Sequence, residues 1–211
     1  CNIESNKFTL CFQINRSKKS MKVAIIGVGR MGERHISVVK KLGMEIVGLF
    51  DQNDELVLNV ASKNKLNLTN QCKDISQLYN KQLPDAVVVS TTAPSHYSYV
   101  CEAAKAGVRY ILCEKPMAVS INEAQTMSSI CKNNDSLLAI NHQMRFMDNY
   151  CKIRSLANSI EFGGVVSIIL SGSNCGLAMN GSHYFELLRF ISGENAETVC
   201  AWFDNDLVPN P

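Results

Sequence analysis

The chain has 211 residues, 46% of them hydrophobic and 19% charged, with a formal net charge of +2. That balance suits a globular protein of one or two domains, and nothing in it suggests a surface for nucleic acid or anionic membranes. No apolar run approaches the roughly 18 residues that a membrane span needs.

Residues 1–20 stand apart from the rest of the chain. They carry Lys7, Arg16, Lys18 and Lys19 against Glu4 alone, and their apolar content is too broken for the core of a signal peptide. They read as a disordered or non-native extension, with Met21 as the expected start. Val23 to Ile26 is then a continuous apolar run, the mark of a strand buried on both faces of a parallel sheet. Gly27-Val28-Gly29-Arg30-Met31-Gly32 comes next and fits G-x-G-x-x-G at a strand-to-helix junction. In that pattern Gly27 permits the tight turn, Gly29 lets the backbone approach a pyrophosphate, and Gly32 lets the helix pack on the strand. The helix, with Ile36, Val39 and Leu42 inward, would aim its positive N-terminus at the anion.

A second strand, 45–50, ends at Asp51, about 20 residues beyond the glycines, where the fingerprint puts an acid for the adenosine ribose. The plainer alternative is that Asp51 caps the helix starting near Asn53 and Asp54. The carboxylate favours NAD, because it repels a 2′-phosphate; Arg30 keeps NADP open. Beyond a helix over 54–65, a short strand is expected near 66–68 and a short helix at 75–79. Strand 86–90 leads into Thr91-Thr92-Ala93-Pro94-Ser95, with Ser95 the expected N-cap of a helix through Lys105. Strand 109–113 ends at Glu114-Lys115-Pro116. Ser120-x-x-Glu123 is a capping box for a helix to about Lys132, and strand 137–141 ends at Asn141-His142. Alternation throughout 21–142 predicts a doubly wound parallel sheet, and its sharpest residues fall at the carboxyl ends of the strands, where such folds bind ligands.

From Met144 the character changes. A helix is expected over 148–159, a strand over 165–170, and a helix capped by Asn180 with a stripe of Tyr184, Leu187, Leu188 and Ile191. Gly193 stops it, and 198–203 reads as another strand. These pieces fall short of a self-sufficient sheet domain, so 143–211 is expected to be a partial one. The nine cysteines are scattered, without C-x-x-C, and favour a reducing cytoplasm over a disulfide scaffold. His35, His96, His142 and His183 lie on different elements without H-x-x-x-H, which argues against a metal site. Arg145 reads equally as a substrate or cofactor contact and as a solvated side chain.

Taken together, GVGRMGERH at 27–35, STTAPSHY at 90–97, CEKPMAVS at 113–120, INHQMRF at 140–146 and GSHYFELLRFISG at 181–193 resemble the Gfo/Idh/MocA oxidoreductases. The resemblance covers 21–203. It implies a Rossmann domain followed by an α+β domain with an open antiparallel sheet, incomplete here. It further implies NAD(P)-dependent oxidation of a secondary alcohol on a sugar, cyclitol or sugar derivative, or the reverse reduction. It brings Glu114 and Lys115 beside nicotinamide and substrate, His183 opposite them, and Thr91, Thr92, His96 and Asn141 to the cofactor side. Pairing through the completed sheet would make a homo-oligomer.

The residue types suit that chemistry. Lys115 can steady a developing alkoxide, and His183, in the first turn of its helix, would be kept neutral as a base by the dipole. Many family members carry an aspartate four positions before that histidine; here it is Met179, with Asn180 next, which at best orients substrate. A non-catalytic dinucleotide-binding module, or a truncated remnant of such an enzyme, is the alternative reading. An interaction protein using exposed strand edges is a third.

Overall fold

The structure, a computed structural model, describes residues 20–66, 74–80, 82–172, 176 and 180–202. The expected extension at 1–20 and most of the expected strand at 66–68 lie outside these residues. The chain divides into two compact units, residues 1–88 and 89–211.

In the first unit, β1 (Lys22–Ile26), α1 (Arg30–Lys41), β2 (Glu45–Phe50), α2 (Asp54–Lys63) and α3 (Ile75–Asn80) precede β3 (Ala86–Val89), inside which the division falls. Val23, Ala24, Ile25 and Ile26 are all buried, as the unbroken apolar run requires, and each larger side chain contributes roughly 1.5–3 kcal/mol by leaving water. β1 pairs in parallel with β2, Lys22 opposite Glu45 and Ile26 opposite Phe50, with a register shift between Val23 and Ala24. The start of β1 is tied by the Lys22 amide donating to the Asp85 carboxylate at 2.8 Å. α1 buries Gly32, Ile36 and Val39, one stripe at helical spacing. Leu42, expected inward, is 63% exposed. It is the C-cap, where the Met44 amide returns to the Val39 carbonyl and the chain turns toward β2, so the stripe ends at Val39.

The second unit holds α4 (Ala93–Lys105), β4 (Tyr110–Cys113), α5 (Ile121–Asn133), β5 (Leu137–Ile140), a 3-10 turn (Gln143–Phe146), α6 (Asp148–Ala157) and α7 (Ser182–Ser192). The cap of α4 is Thr92, not Ser95. Pro94 is tolerated in a helix's first turn, where its missing N–H leaves nothing unpaired, and this draws the start of the helix back to Ala93. Ser95 then sits inside that turn and donates to Thr91 Oγ1 at 2.7 Å. The capping box of α5 forms: Ser120 Oγ accepts from the Glu123 amide, and the Glu123 carboxylate accepts from the Val119 amide. β4 and β5 are parallel, and the five strands run β2-β1-β3-β4-β5, the doubly wound arrangement the alternation predicts.

Beyond β5, Leu187, Phe190 and Ile191 of α7 form a small core with Met144, Tyr150, Val165 and Ile168 against it. Phe190 joins the stripe in place of Tyr184 and Leu188, which are half-buried. Asn180 does not cap α7. The cap is Gly181, in helical conformation without a side-chain bond, while the Asn180 amide donates to the Gly176 carbonyl. The strands expected at 165–170 and 198–203 are not formed by the described residues there. Val166, Ile169, Val199 and Trp202 are 99%, 87%, 79% and 87% exposed. β-propensity needs a neighbouring ladder to become a strand, and neither segment has one among the described residues. The open antiparallel sheet is therefore absent from them. Among the described residues no helix is long and apolar enough to cross a membrane.

Candidate active site

The glycine turn is built by β1 and held by β2. The Gly27 amide donates to the Phe50 carbonyl at 2.8 Å, and Gly27 itself has φ 84°, which only glycine adopts without strain. The Val28 amide donates to Asp51 Oδ2 at 2.9 Å, and Val28's own side chain is core. Asp51 Oδ1 accepts from the Asn53 amide, and Asn53, not Asp51, caps α2 by accepting from the Leu56 amide. The carboxylate expected to meet a ribose thus also fastens the turn. Gly29 caps α1 with φ −66° and ψ −163°, a conformation open to any residue, and a Cβ built on it would meet nothing within 4 Å. Neither backbone nor packing demands glycine there. Open room beside an uncapped 12-residue helix N-terminus fits the pyrophosphate of a dinucleotide. Arg30 is exposed, Met31 half-buried, and Gly32 buried on the strand side.

In the second unit Glu114 comes directly after β4. Its amide donates to the Val89 carbonyl and its Oε1 accepts from Asn141 Nδ2 at 2.8 Å, so the ends of β4 and β5 are tied by a carboxylate only 6% exposed. Lys115 is next and precedes Pro116 through a cis peptide bond. His96 is fully buried, with Nδ1 2.9 Å from the Pro116 carbonyl and Nε2 3.1 Å from the Thr91 carbonyl. A neutral imidazole has one N–H and donates to one of these two carbonyls, and its full burial seats it between the Lys115-Pro116 turn and the start of α4. Thr92 remains exposed at that start and Thr91 half-buried.

His142, at the end of β5, and His183, in the first turn of α7, come together with ring centroids 5.7 Å apart and planes at 90°. His142 Nε2 and His183 Nδ1 are buried without a hydrogen-bond partner. Burial lowers both pKa values below the usual imidazole range. For His183, Lys115 and His142 lower it further against Glu114; for His142, Glu186 and Glu114 oppose Lys115 and Arg145. The direction is the one expected for His183, with burial as the largest cause and the Lys115 charge next. The sequence places His142 with Asn141 at a strand's carboxyl end, where ligands bind, but assigns it no chemical step. Arg145 is structural: it pairs with Glu186 at 2.8 Å and lies over the Phe190 ring. Asn180 is exposed. Among the described residues no three His, Cys, Asp or Glu side chains gather as a metal site would require.

The lowered histidines make stability depend on pH. The unfolded chain, titrating near 6.5, takes up protons that the folded chain refuses, so their contribution is full above about pH 6.5 and is lost on acidification below it. Denaturant melts at pH 7.5 and 5 should show a larger loss for the natural chain than for a His142→Phe/His183→Phe variant. Equal losses would contradict the assignment.

A family model described as an oxidoreductase family with an NAD-binding Rossmann fold, GFO_IDH_MocA, matches residues 21–142. The chain belongs to this family. Curated relatives of this Gfo/Idh/MocA chain include D-apiose dehydrogenase of Paraburkholderia graminis, 29% identical over 87% of this chain and 52% of that protein. Myo-inositol 2-dehydrogenase of Thermotoga maritima is 25% identical over 86% of this chain and 58% of that protein. Scyllo-inositol dehydrogenase from Lactobacillus casei, solved with bound NAD(H) and scyllo-inositol, shares the fold. Its TM-score is 0.71, over 83% of this chain and 57% of that one, at 17% identity. The Gfo/Idh/MocA chain spans about half the length of the curated relatives it matches. The matched stretch runs from β1 to just past β5 and contains every residue expected on the cofactor side; His183 lies beyond it.

Proposed function

We propose that this chain serves an NAD-dependent oxidoreductase that interconverts a secondary alcohol and a ketone on a sugar or cyclitol. The observation that carries the reading is the grouping in one unit of Lys115, on a turn beside His96, with His142 and His183, whose rings lie 5.7 Å apart. Family membership and the dehydrogenase names of the curated relatives support it. When bound, nicotinamide supplies the hydride acceptor or donor. Gly29 and the N-terminus of α1 receive the pyrophosphate, and Asp51 takes the ribose hydroxyls while fastening the turn. Glu114, Asn141, Thr91 and Thr92 line the nicotinamide side. Lys115 steadies charge on the substrate oxygen, His183 holds the hydroxyl proton, and Asn180 orients the substrate. Pairing through a completed C-terminal sheet would make a homo-oligomer, and buried free cysteines support a reducing, cytoplasmic setting.

Calorimetry with NADH and NADPH on the natural chain and on Asp51→Ala tests this. NADH should bind more tightly than NADPH, and the variant should lose about tenfold or more in NADH affinity. Failure of a folded chain to bind either nucleotide would refute the cofactor site. Met179, where many family members carry an aspartate, favours a second reading, a nucleotide-binding module without turnover. Tight NADH binding without NAD reduction by any of a panel of sugars and cyclitols would select it.

A further inference from the structure

A histidine base works only if the proton on its other nitrogen is held elsewhere, and the partner that holds it sets the tautomer. His183 Nδ1 is buried and unpartnered. Of the nearby carboxylates, Glu114 accepts from Asn141, and Glu186 is drawn into ion pairs with Arg145 and Arg189, although its Oε1, like Ser182 Oγ, makes no hydrogen bond. His142 presents a second buried, unpartnered nitrogen, Nε2, on a ring perpendicular to that of His183 at a centroid separation of 5.7 Å. Two imidazoles joined by an N–H···N bond of about 3 Å stand at nearly this separation. A buried polar atom left unpaired costs about 1–3 kcal/mol, so a small rotation of these edge-on rings that joins the two nitrogens would relieve both.

We propose that His142 is the positioning residue for His183: its Nε2 accepts the Nδ1–H bond that fixes the tautomer whose Nε2 is the proton acceptor. The assignment rests on the reading of His183 as the base, and it makes the dyad neutral. His183 is faced by Lys115, Glu114 and His142, and His142 by Glu186, Glu114, Lys115 and Arg145. A neutral acceptor orients His183 without the rise in proton affinity that a carboxylate would impose, which keeps the base unprotonated at neutral pH.

The test is long-range proton–nitrogen correlation on the whole chain labelled with nitrogen-15 histidine. The four histidines are assigned by single glutamine replacements. His183 should be mainly Nδ1–H in the natural chain and should pass to mainly Nε2–H in His142→Phe. His142→Gln should retain Nδ1–H through its amide oxygen. His142→Asp should retain it and raise the titration midpoint of His183. An unchanged His183 tautomer in folded His142→Phe would overturn the proposal, as would Nε2–H in the natural chain. Should the phenylalanine variant fail to fold, equal His183 midpoints in the glutamine and aspartate variants would overturn it. The readout needs no nucleotide, so a chain that shows these shifts yet binds no NADH refutes the proposed function and leaves the dyad standing.

Discussion

Lys115→Met is expected to lower the rate of NAD reduction by a sugar or cyclitol by about 10²–10³-fold, the usual cost of removing a donor from a developing oxyanion. Methionine keeps the apolar stem and removes only the charged end. Lys115 comes after a buried, bonded Glu114 and precedes a carbonyl that His96 engages, so the turn should survive the change. NADH affinity by calorimetry should therefore stay nearly constant while initial rates collapse. Arginine should not restore the rate, because its guanidinium is planar and does not release a proton near neutral pH. An unaltered rate in Lys115→Met would remove this residue from the chemistry.

Gly29→Ala is expected to cost about tenfold or more in NADH affinity, roughly 1.4 kcal/mol, with almost no change in folding stability. The asymmetry is geometric: the backbone at Gly29 suits alanine and no heavy atom lies within 4 Å of the added carbon, so only a ligand would meet it. Gly27→Ala should behave oppositely. Its φ of 84° imposes about 1–2 kcal/mol on any residue with a Cβ, visible in denaturant melts without nucleotide. Calorimetry and melts on both variants give four values. If Gly29→Ala destabilised the chain as much as Gly27→Ala and bound NADH normally, the open room beside α1 would have no bearing on nucleotide.

The sheet was legible because its strands announce themselves one at a time. Val23 to Ile26 must be buried on both faces wherever it goes, and Ser120 with Glu123 must open a helix. Cap positions were less legible, since Ser95 and Asn180 have capping side chains but Pro94 and the backbone at Gly181 decided where those helices start. The segments at 165–170 and 198–202 have strand composition, yet composition states what a residue would do beside a partner, not whether one is present. The candidate site divides in the same way. Lys115, His183 and the glycines can be named as candidates because chemistry restricts those types. The pairing of His142 with His183 was not legible, because it joins a strand end to a helix some 40 residues away, and nothing local to either encodes it. The burial of His96 is equally hidden, because the Thr91 and Pro116 carbonyls beside its ring have no sequence signature.

The bonds from Gly27 to Phe50 and from Val28 to Asp51 bear on how fast the turn can receive a guest. Ordering a free loop costs about 1–2 kcal/mol per residue in lost backbone freedom, and here that ordering is complete when β1 and β2 pair. A nucleotide arriving at such a turn docks onto a finished surface instead of folding one, so the encounter is limited by diffusion and orientation rather than by the chain's search for its shape.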